Sequence, residues 1–388
     1  MMSGVRFWIS WCAIILLTVA AVGWGLSQWN LSNYKAQVAD RLQLLNELRR
    51  GALEQYFATA EAELTFWGTS NDIVDAQIRL NEVWAQTSSN AVSSAVRTDY
   101  ITNNPNPVGK YRELMQAGES DYDLIHAALH PIATKFVTQR GYYDFFLISP
   151  DGVITYSVEK ELDYASNLMD GPYRDSGLAH SFRQALASPD QPALSDMESY
   201  APSQGAPAIF LARALRDDSG VVIGVIAFQL PTTKILEIMN YDSGMGETGE
   251  TYLVGPDRVM RSNSRFSSES TVLTQVVDTK TVRLALEGEE GVQFVYDYRD
   301  VEVLSSYSSI NLGGTVWAVM AEIDRTEMIQ NAATERPALA GVLMFFYALS
   351  LWTLWYWQGR PEVNPDADLS QIDIKGADFG DDGGNLMG

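Results

Sequence analysis

One cysteine, Cys12, occurs in 388 residues. An intramolecular disulfide is therefore excluded, and so is a thiolate metal site of the zinc-finger kind. Histidine is nearly as scarce, with His126, His130 and His180 only. Basic side chains are outnumbered, 27 Lys and Arg against 49 Asp and Glu, for a formal net charge of −22. Such a surface repels nucleic acid and anionic headgroups, which removes both as partners of the bulk of the chain. Disorder is not the main state either, since 46% hydrophobic and 20% charged residues is a globular composition. No Ser-His-Asp set and no paired-carboxylate arrangement stands out, so neither an enzyme nor a cofactor is expected.

What the chain does have is two long uncharged apolar runs. Phe7 to Leu26 spans 20 residues, enough to cross a hydrocarbon core of about 30 Å as a helix. Trp8, Trp11, Trp24 and Trp29 lie toward its ends, where indole rings prefer the headgroup level. No small-x-small cleavage site follows, so residues 7–27 read as an anchor rather than a signal peptide. Pro337 to Trp357 is the second run, with Trp352, Trp355, Tyr356 and Trp357 clustered at its far end. Arg6 precedes the first run and Arg360 follows the second, which puts residues 1–6 and 358–388 in the cytoplasm and the acidic middle outside. Roughly 300 residues separate the runs, too many for one small core and suited to two packed modules.

From Ser32 to Trp67, apolar residues recur in steps of three and four: Val38, Leu42, Leu45, Leu48, Ala52, Tyr56, Ala60, Leu64 and Trp67. That is one face of a long helix leaving the membrane over residues 28–69. A short helix from Asp72 to Trp84 follows. Thr87 to Lys110, rich in Ser, Asn and Pro, reads as a loop, and a helix that Pro131 bends or splits runs from Ser120 to Gln139. The period then changes to two. Tyr143–Ser149 and Val153–Val158 form a hairpin on the turn Ser149-Pro-Asp-Gly152, a helix covers Ser176–Ala187, and strands follow at Ala206–Leu215 and Val221–Leu230. FLISPDGV, from Phe146, returns 106 residues later as YLVGPDRV, from Tyr252. The second copy continues with a helix at Thr279–Leu286 and strands at Gly291–Tyr298, Val301–Tyr307 and Val316–Ile323. The middle is thus two similar α/β modules in tandem.

The stretches YYDFFLISPDGVITYSVEKE, NLMDGPYRDSGLAHSF, GETGETYLVGPDRVMRSNSRF and WAVMAEIDRTEM resemble the double-Cache sensors of bacterial chemoreceptors, histidine kinases and nucleotide cyclases. The resemblance covers Ser32 to Ile329. It implies an α/β (α+β) fold: the long N-terminal helix, a membrane-distal PAS-like module over residues 70–231, a membrane-proximal one over 232–329, both with antiparallel sheets, and a transmembrane helix on either side. It also implies a small-molecule ligand in the distal module, a homodimer or contact with other membrane proteins, and a bacterial inner membrane with the large domain in the periplasm. Amino-acid-binding members carry Arg-x-Trp-Tyr after the hairpin; Gly171-Pro-Tyr-Arg-Asp175 stands here without the Trp. Members also continue past the second span into an output domain, whereas about 30 residues follow Trp357. The output is then expected in a separate protein or in further sequence, and the alternative is a Cache-fold accessory subunit of a membrane assembly.

A pocket needs polar groups among aromatics. Tyr142, Asp144 and Tyr156 lie on or beside the first hairpin, Tyr173 and Arg174 in the Gly-Pro turn, and Asp196, Tyr200 and Ser203 before the third strand. Arg174 would clamp a carboxylate and an Asp would pair an ammonium. His126 and His130, four apart, share a helix face, but no third metal ligand is legible, so they read as surface histidines and no metal is expected. Gly244-Met-Gly246-Glu-Thr-Gly249 matches a dinucleotide fingerprint in letters only, because it follows a helix and opens a strand; it reads as the linker between modules. Asp378-Phe-Gly380 has no kinase lobe around it. Glu362 to Gly388 reads as a solvated acidic tail or a docking strip for a basic surface.

Overall fold

A computed structural model describes residues 2–86, 88–241, 244–333 and 336–358. The acidic tail and its Asp-Phe-Gly lie outside these. The chain divides into two units, residues 31–332 and residues 1–30 with 333–388.

In the larger unit the dominant element is the end of α1 (Met2–Gly68). Its stripe Val38, Leu42, Leu53, Phe57, Ala60 and Leu64 is buried, as the three-and-four spacing demands. α2 (Asn71–Gln86) and α4 (Asp121–Arg140) pack together behind the first sheet. α4 starts on a capping box in which Ser120 and Asp123 satisfy each other's backbone N–H groups. Pro131 sits inside α4 without splitting it. The segment expected to be a loop, Thr87–Lys110, is largely helical instead: α3 (Ser89–Arg97) runs into a π-turn at Thr98–Thr102. Val96 and Tyr100, four apart, are buried there, and Trp84 Nε1 donates to Ser93 Oγ at 3.2 Å. Tertiary packing overrides the polar composition that reads as loop.

The first sheet comprises β1 (Asp144–Ile148), β2 (Ile154–Ser157), β3 (Ala193–Leu194), β4 (Glu198–Tyr200), β5 (Ala206–Arg216) and β6 (Val222–Leu230). Its order is β2-β1-β6-β5-β3, with β4 paired to β5, all antiparallel. Alternation assigns its two faces. Phe145, Leu147, Tyr156, Leu211, Ile226 and Phe228 join the helices α1, α2 and α4 in one core. Phe146, Ile148, Ile154, Phe210, Val225 and Ala227 pack against α5 (Gly177–Ala187) on the other side.

α6 (Thr232–Met239) leads to the second sheet, formed by β7 (Glu250–Val254), β8 (Gly291–Tyr296), β9 (Glu302–Leu312) and β10 (Thr315–Asp324) in the antiparallel order β7-β10-β9-β8. α7 (Lys280–Leu286) covers it as α5 covers the first. The repeat is visible in detail. β1 and β7 start at Asp144 and Glu250, and the turns after them close alike, Ser149 N–H to Val153 C=O and Gly255 N–H to Val259 C=O. Gly152 (φ 93°) and Arg258 (φ 63°) hold the same left-handed position, which suits glycine and strains arginine. The GxGxxG segment makes a turn that opens β7; Glu247 and Thr248 donate their backbone N–H groups to the Glu327 carboxylate of α8 (Arg325–Ala333).

In the smaller unit, the start of α1 and α9 (Arg336–Gln358) are apolar. Among the described residues, one helix is long and apolar enough to cross a membrane, the α1 stretch from Ser10 onward; the apolar part of α9, Ala340–Thr353, is shorter. Gly23 of α1 faces Leu343 of α9 so closely that a Cβ there would lie 3.0 Å from Leu343 Cδ1.

Candidate functional site

The α5 face of the first sheet carries a polar patch at its open end. Asp144 on β1 and Gln229 on β6 are cross-strand partners. After β2 the chain turns through a left-handed Lys160 (φ 57°), which brings Glu161 and Asp163 over the same end. Tyr200, at the end of β4, donates to Asp163 Oδ2, and Ser203 donates to Glu161 Oε2 at 2.6 Å while accepting from Gln229 Nε2 at 3.3 Å. Tyr173 is half-buried against the same core. Asp144, Asp163, Tyr200, Ser203 and Gln229 are all buried.

The carboxylates here differ in what they have left to offer. Asp144 is saturated: Oδ1 accepts from the backbone N–H of Phe145, Val158 and Glu159, and Oδ2 from Ser157 Oγ. It pins the β1–β2 hairpin. Asp163 Oδ1 and Gln229 Oε1, in contrast, are buried acceptors without a hydrogen bond. Burial pushes Asp163 up to about 7. Burial and the neighbouring Glu159 hold Asp144 well above the carboxylate range, and burial raises Glu159 as well. The patch is thus rich in acceptors and crowded with acids. Glu159, which Arg112 pairs at 2.8 Å, and Gln229 also line a groove of about 480 Å³ with Arg112, Tyr142, Tyr143 and Pro207.

Of the eight residues singled out in the sequence, Asp144, Tyr200, Ser203 and Tyr173 converge on this patch. The other four do not join it. Tyr142 lies on the helical face, donating to Glu63 Oε2 of α1 at 2.7 Å and stacking on Phe228. Tyr156 also faces the helices, where its hydroxyl meets His130 Nδ1 at 2.7 Å. Arg174 is exposed and reaches only its neighbour Asp175, at 3.5 Å. Asp196 turns toward the second sheet, to Arg261 and Trp317.

The model of the double-Cache sensor family, described as "Cache domain", matches residues 32–332. The chain belongs to the Cache family. One candidate membrane helix lies near its N-terminus among the described residues. Comparison with curated proteins gave no match. Among solved structures, the chain is similar to the periplasmic sensory domain of the Campylobacter jejuni chemoreceptor Tlp1 (14% identity, 62% of this chain and 92% of that one, TM-score 0.40). It is also similar to the ligand-binding domain of the Pseudomonas aeruginosa amino acid chemoreceptor PctC in complex with GABA (18%, 64% and 99%, 0.37). A third is the ligand-binding domain of C. jejuni Tlp3 in complex with L-valine (10%, 78% and 98%, 0.47).

On its helical face the Cache domain carries a second polar cluster, and here the sequence reading is corrected. His126 and His130 are not surface residues; both are fully buried and stack on each other at 4.5 Å. They belong to the α4 stripe of Tyr122, Leu129, Ala133 and Val137, and three of their four ring nitrogens are met from inside the fold, His126 Nε2 being the exception. His126 Nδ1 bonds the Met115 carbonyl at 2.8 Å and His130 Nε2 the Arg112 carbonyl at 2.7 Å. Lys160 Nζ, also buried, sits 3.1 Å from His130 Nε2. Burial, helped by Lys160, drops His130 to about 3, and burial lowers Lys160 to about 7. Around them Tyr100 donates to Asp123 Oδ1 at 2.8 Å, and the Tyr122 and Tyr164 hydroxyls bond each other.

The residues missed in the sequence are Glu161, Asp163 and Gln229. Gln229 carried a weak signal as the polar member of the apolar run VIAFQL. Glu161 and Asp163 carried none, because their place depends on the left-handed turn at Lys160.

Proposed function

We propose that this Cache protein is a sensor held in a bacterial inner membrane by two helices, α1 and α9, and that it takes a small cationic ligand, an amine or ammonium compound, at the Asp163–Gln229 patch. The observation that carries this reading is the pair of buried acceptors, Asp163 Oδ1 and Gln229 Oε1, left without donors in a patch that also holds Asp144 and Glu161. An unsatisfied buried acceptor costs about 1–3 kcal/mol, and an ammonium supplies donors and charge together. A carboxylate ligand would meet acids instead, and Arg174 is paired with Asp175 in the exposed loop. Asp144 shapes the site by holding the hairpin, and Tyr173, Tyr200 and Ser203 furnish its wall. The close approach of Gly23 to Leu343 supports pairing of the two apolar helices. A ligand that prefers one of two arrangements of the domain biases an output partner by its differential affinity.

Thermal unfolding of the full-length protein in detergent, against panels of small amines and small carboxylates, tests this. A ligand at a hundred times its dissociation constant adds roughly 2.7 kcal/mol, a shift of several degrees. An amine response that Asp163→Asn abolishes supports the reading. A response to carboxylates alone, or an amine response indifferent to both Asp163→Asn and Gln229→Leu, overturns it.

A further inference from the structure

The second sheet buries three carboxylates side by side. Glu250 on β7 and Glu322 on β10 are direct cross-strand partners, and Asp297 follows β8. One oxygen from each lies within 4.8 Å of the others. The three residues are 2%, 1% and 6% exposed. Asp297 is held by Arg299, Nε to Oδ2 at 2.6 Å, and by the backbone N–H groups of Arg299 and Val301. Glu250 accepts from the hydroxyls of Tyr298 at 2.7 Å and Ser264 at 3.1 Å. Arg299 also pairs with Asp324 at 2.7 Å. One guanidinium thus bonds two carboxylates, Asp297 and Asp324, and acts on a third, Glu250.

Two further features point to a missing ligand. Neither oxygen of Glu322 has a hydrogen-bond partner in good geometry, although the residue is buried and the Ser305 and Tyr252 hydroxyls lie beside it. The Tyr252 hydroxyl, on a fully buried residue two places along β7 from Glu250, faces Glu322 without a well-formed bond. It lies near enough to Glu322 and Glu250 for their charges to act on it. Glu322 thus enters the cluster with both oxygens short of donors, whereas Asp297 and Glu250 are already held by Arg299, Tyr298 and Ser264.

We infer that Glu250, Asp297 and Glu322 form a divalent-cation site in the second sheet, suited to calcium. The set is all oxygen and hard, as calcium and magnesium require. Oxygens up to 4.8 Å apart match opposite ligands of an ion bound at 2.3–2.6 Å. Magnesium needs about 2.0–2.1 Å, near-ideal octahedral geometry and several retained waters, a poorer match for a set of three buried protein carboxylates. Isolated buried charges are otherwise expensive, and a bound dication offsets them while tying β7, β10 and the end of β8 together.

The test is calcium titration of the full-length protein in detergent after EGTA treatment, read by thermal unfolding and by tyrosine-sensitised terbium luminescence. Extracellular calcium modules bind on the order of 0.1–1 mM, so CaCl2 in that range should raise the unfolding temperature by several degrees. Magnesium should do less. Glu322→Gln should abolish the calcium shift, and Asp218→Asn, an exposed acid of the β5–β6 turn, should keep it. Terbium bound beside Tyr298 should luminesce and be displaced by calcium. No calcium shift in the wild type, or a shift that survives Glu322→Gln, overturns the site; an equal response to MgCl2 overturns the calcium assignment. If Glu322→Gln does not fold, Glu250→Gln and the wild-type terbium titration decide in its place: calcium-displaceable luminescence upholds the site, and its absence removes it.

Discussion

Arg261, just beyond β7 of the second sheet, closes on Asp196, between β3 and β4 of the first, through two parallel hydrogen bonds: Nε to Oδ1 at 3.1 Å and Nη2 to Oδ2 at 2.8 Å. Trp317 of β10 adds its indole N–H to Asp196 Oδ1 at 2.8 Å. The Arg261 side chain is 2% exposed and lies over Gly255, where a Cβ would come within 2.3 Å of its Cζ. The sheets are therefore coupled through one carboxylate, a geometry that arginine reads and lysine does not.

Asp196→Ala removes the acceptor of four hydrogen bonds, from Arg261 Nε and Nη2, the Trp317 indole and the Met197 N–H, and leaves the buried guanidinium with Asp257, at 3.0 Å, and the Val259 carbonyl. Losing one partner of a buried pair costs about 3–5 kcal/mol, and the 20% exposure of the Asp196 side chain together with the remaining Asp257 argues for the lower end. Urea unfolding of the full-length protein should show that loss. Gly255→Ala should destabilise as well, by displacing the guanidinium. Unchanged midpoints in both variants would mean the contact contributes nothing.

Much of this architecture was legible in the residues. The turn Ser149-Pro-Asp-Gly152 and its counterpart at Gly255–Val259 fixed the 106-residue repeat, because strand, turn and strand are local chemistry. The helix stripe from Val38 to Leu64 was equally plain. The histidines were misjudged although the signal existed: His126 and His130 share the three-and-four spacing of Tyr122, Leu129 and Ala133, and polarity was weighed above period. The α3 helix was hidden by serine and asparagine in the same way. The candidate patch was legible in part. Tyr200 and Ser203 could be picked by type, but which sheet face a residue joins depends on strand pairing. Asp144 and Gln229 meet only because β1 pairs β6 across more than 80 intervening residues. The partners of Asp196, Arg261 and Trp317, were not legible because they lie in the other half of the chain.

Asp163 should give the protein an acid-side stability gain. Its folded pKa, about 7 through burial, exceeds the ordinary carboxylate value of about 3.9. The folded state then holds a proton that the unfolded state has lost, and stability falls as pH rises from about 4 to about 7. The groups around it are Tyr200, Glu161 and Arg97, and Asp163→Asn removes the proton without disturbing them. The difference in unfolding temperature between wild type and variant should therefore change steadily over pH 4–7 and be flat above it. On the proposed function, amine affinity should also weaken below pH 7, as Asp163 takes up its proton. A wild-type-minus-variant difference independent of pH would place the Asp163 pKa in the normal range.

Lys160 should act in the opposite direction. Burial lowers it to about 7 in the fold, against about 10.4 when unfolded. The unfolded state binds the extra proton between those values, so stability rises with pH from about 7 to about 10. Lys160→Met keeps the volume and the left-handed backbone strain and removes the charge. It should abolish that part of the slope and leave the protein at least as stable at pH 7, since replacing a buried ion by an apolar side chain is often neutral or stabilising. A large loss of stability at pH 7 would show instead that the Lys160 contacts to His130 and to the Val158 carbonyl, at 3.1 and 3.2 Å, stabilise the fold.

Asn46 is the one fully polar member of the buried stripe of α1, 1% exposed. Its Nδ2 donates to the carbonyls of Ser306 at 3.1 Å and Val319 at 2.7 Å, and its Oδ1 accepts from Ser308 Oγ at 2.5 Å. The two carbonyls belong to neighbouring strands, β9 and β10, so a single amide fixes the register of the helix on the second sheet. Asn46→Leu keeps the size and favours the helix but takes the amide from two buried carbonyls and the Ser308 hydroxyl, and a buried polar group left unpaired costs about 1–3 kcal/mol. Denaturant unfolding should show a loss of several kcal/mol, whereas Val38→Ala, which opens a small apolar gap in the same stripe, should cost less. If ligand binding shifts α1 along the sheet, Asn46→Ser, able to keep part of the bonding, should retain ligand affinity while weakening the transmitted change. Equal stability of Asn46→Leu and the wild type would show that the helix is held by its apolar stripe alone.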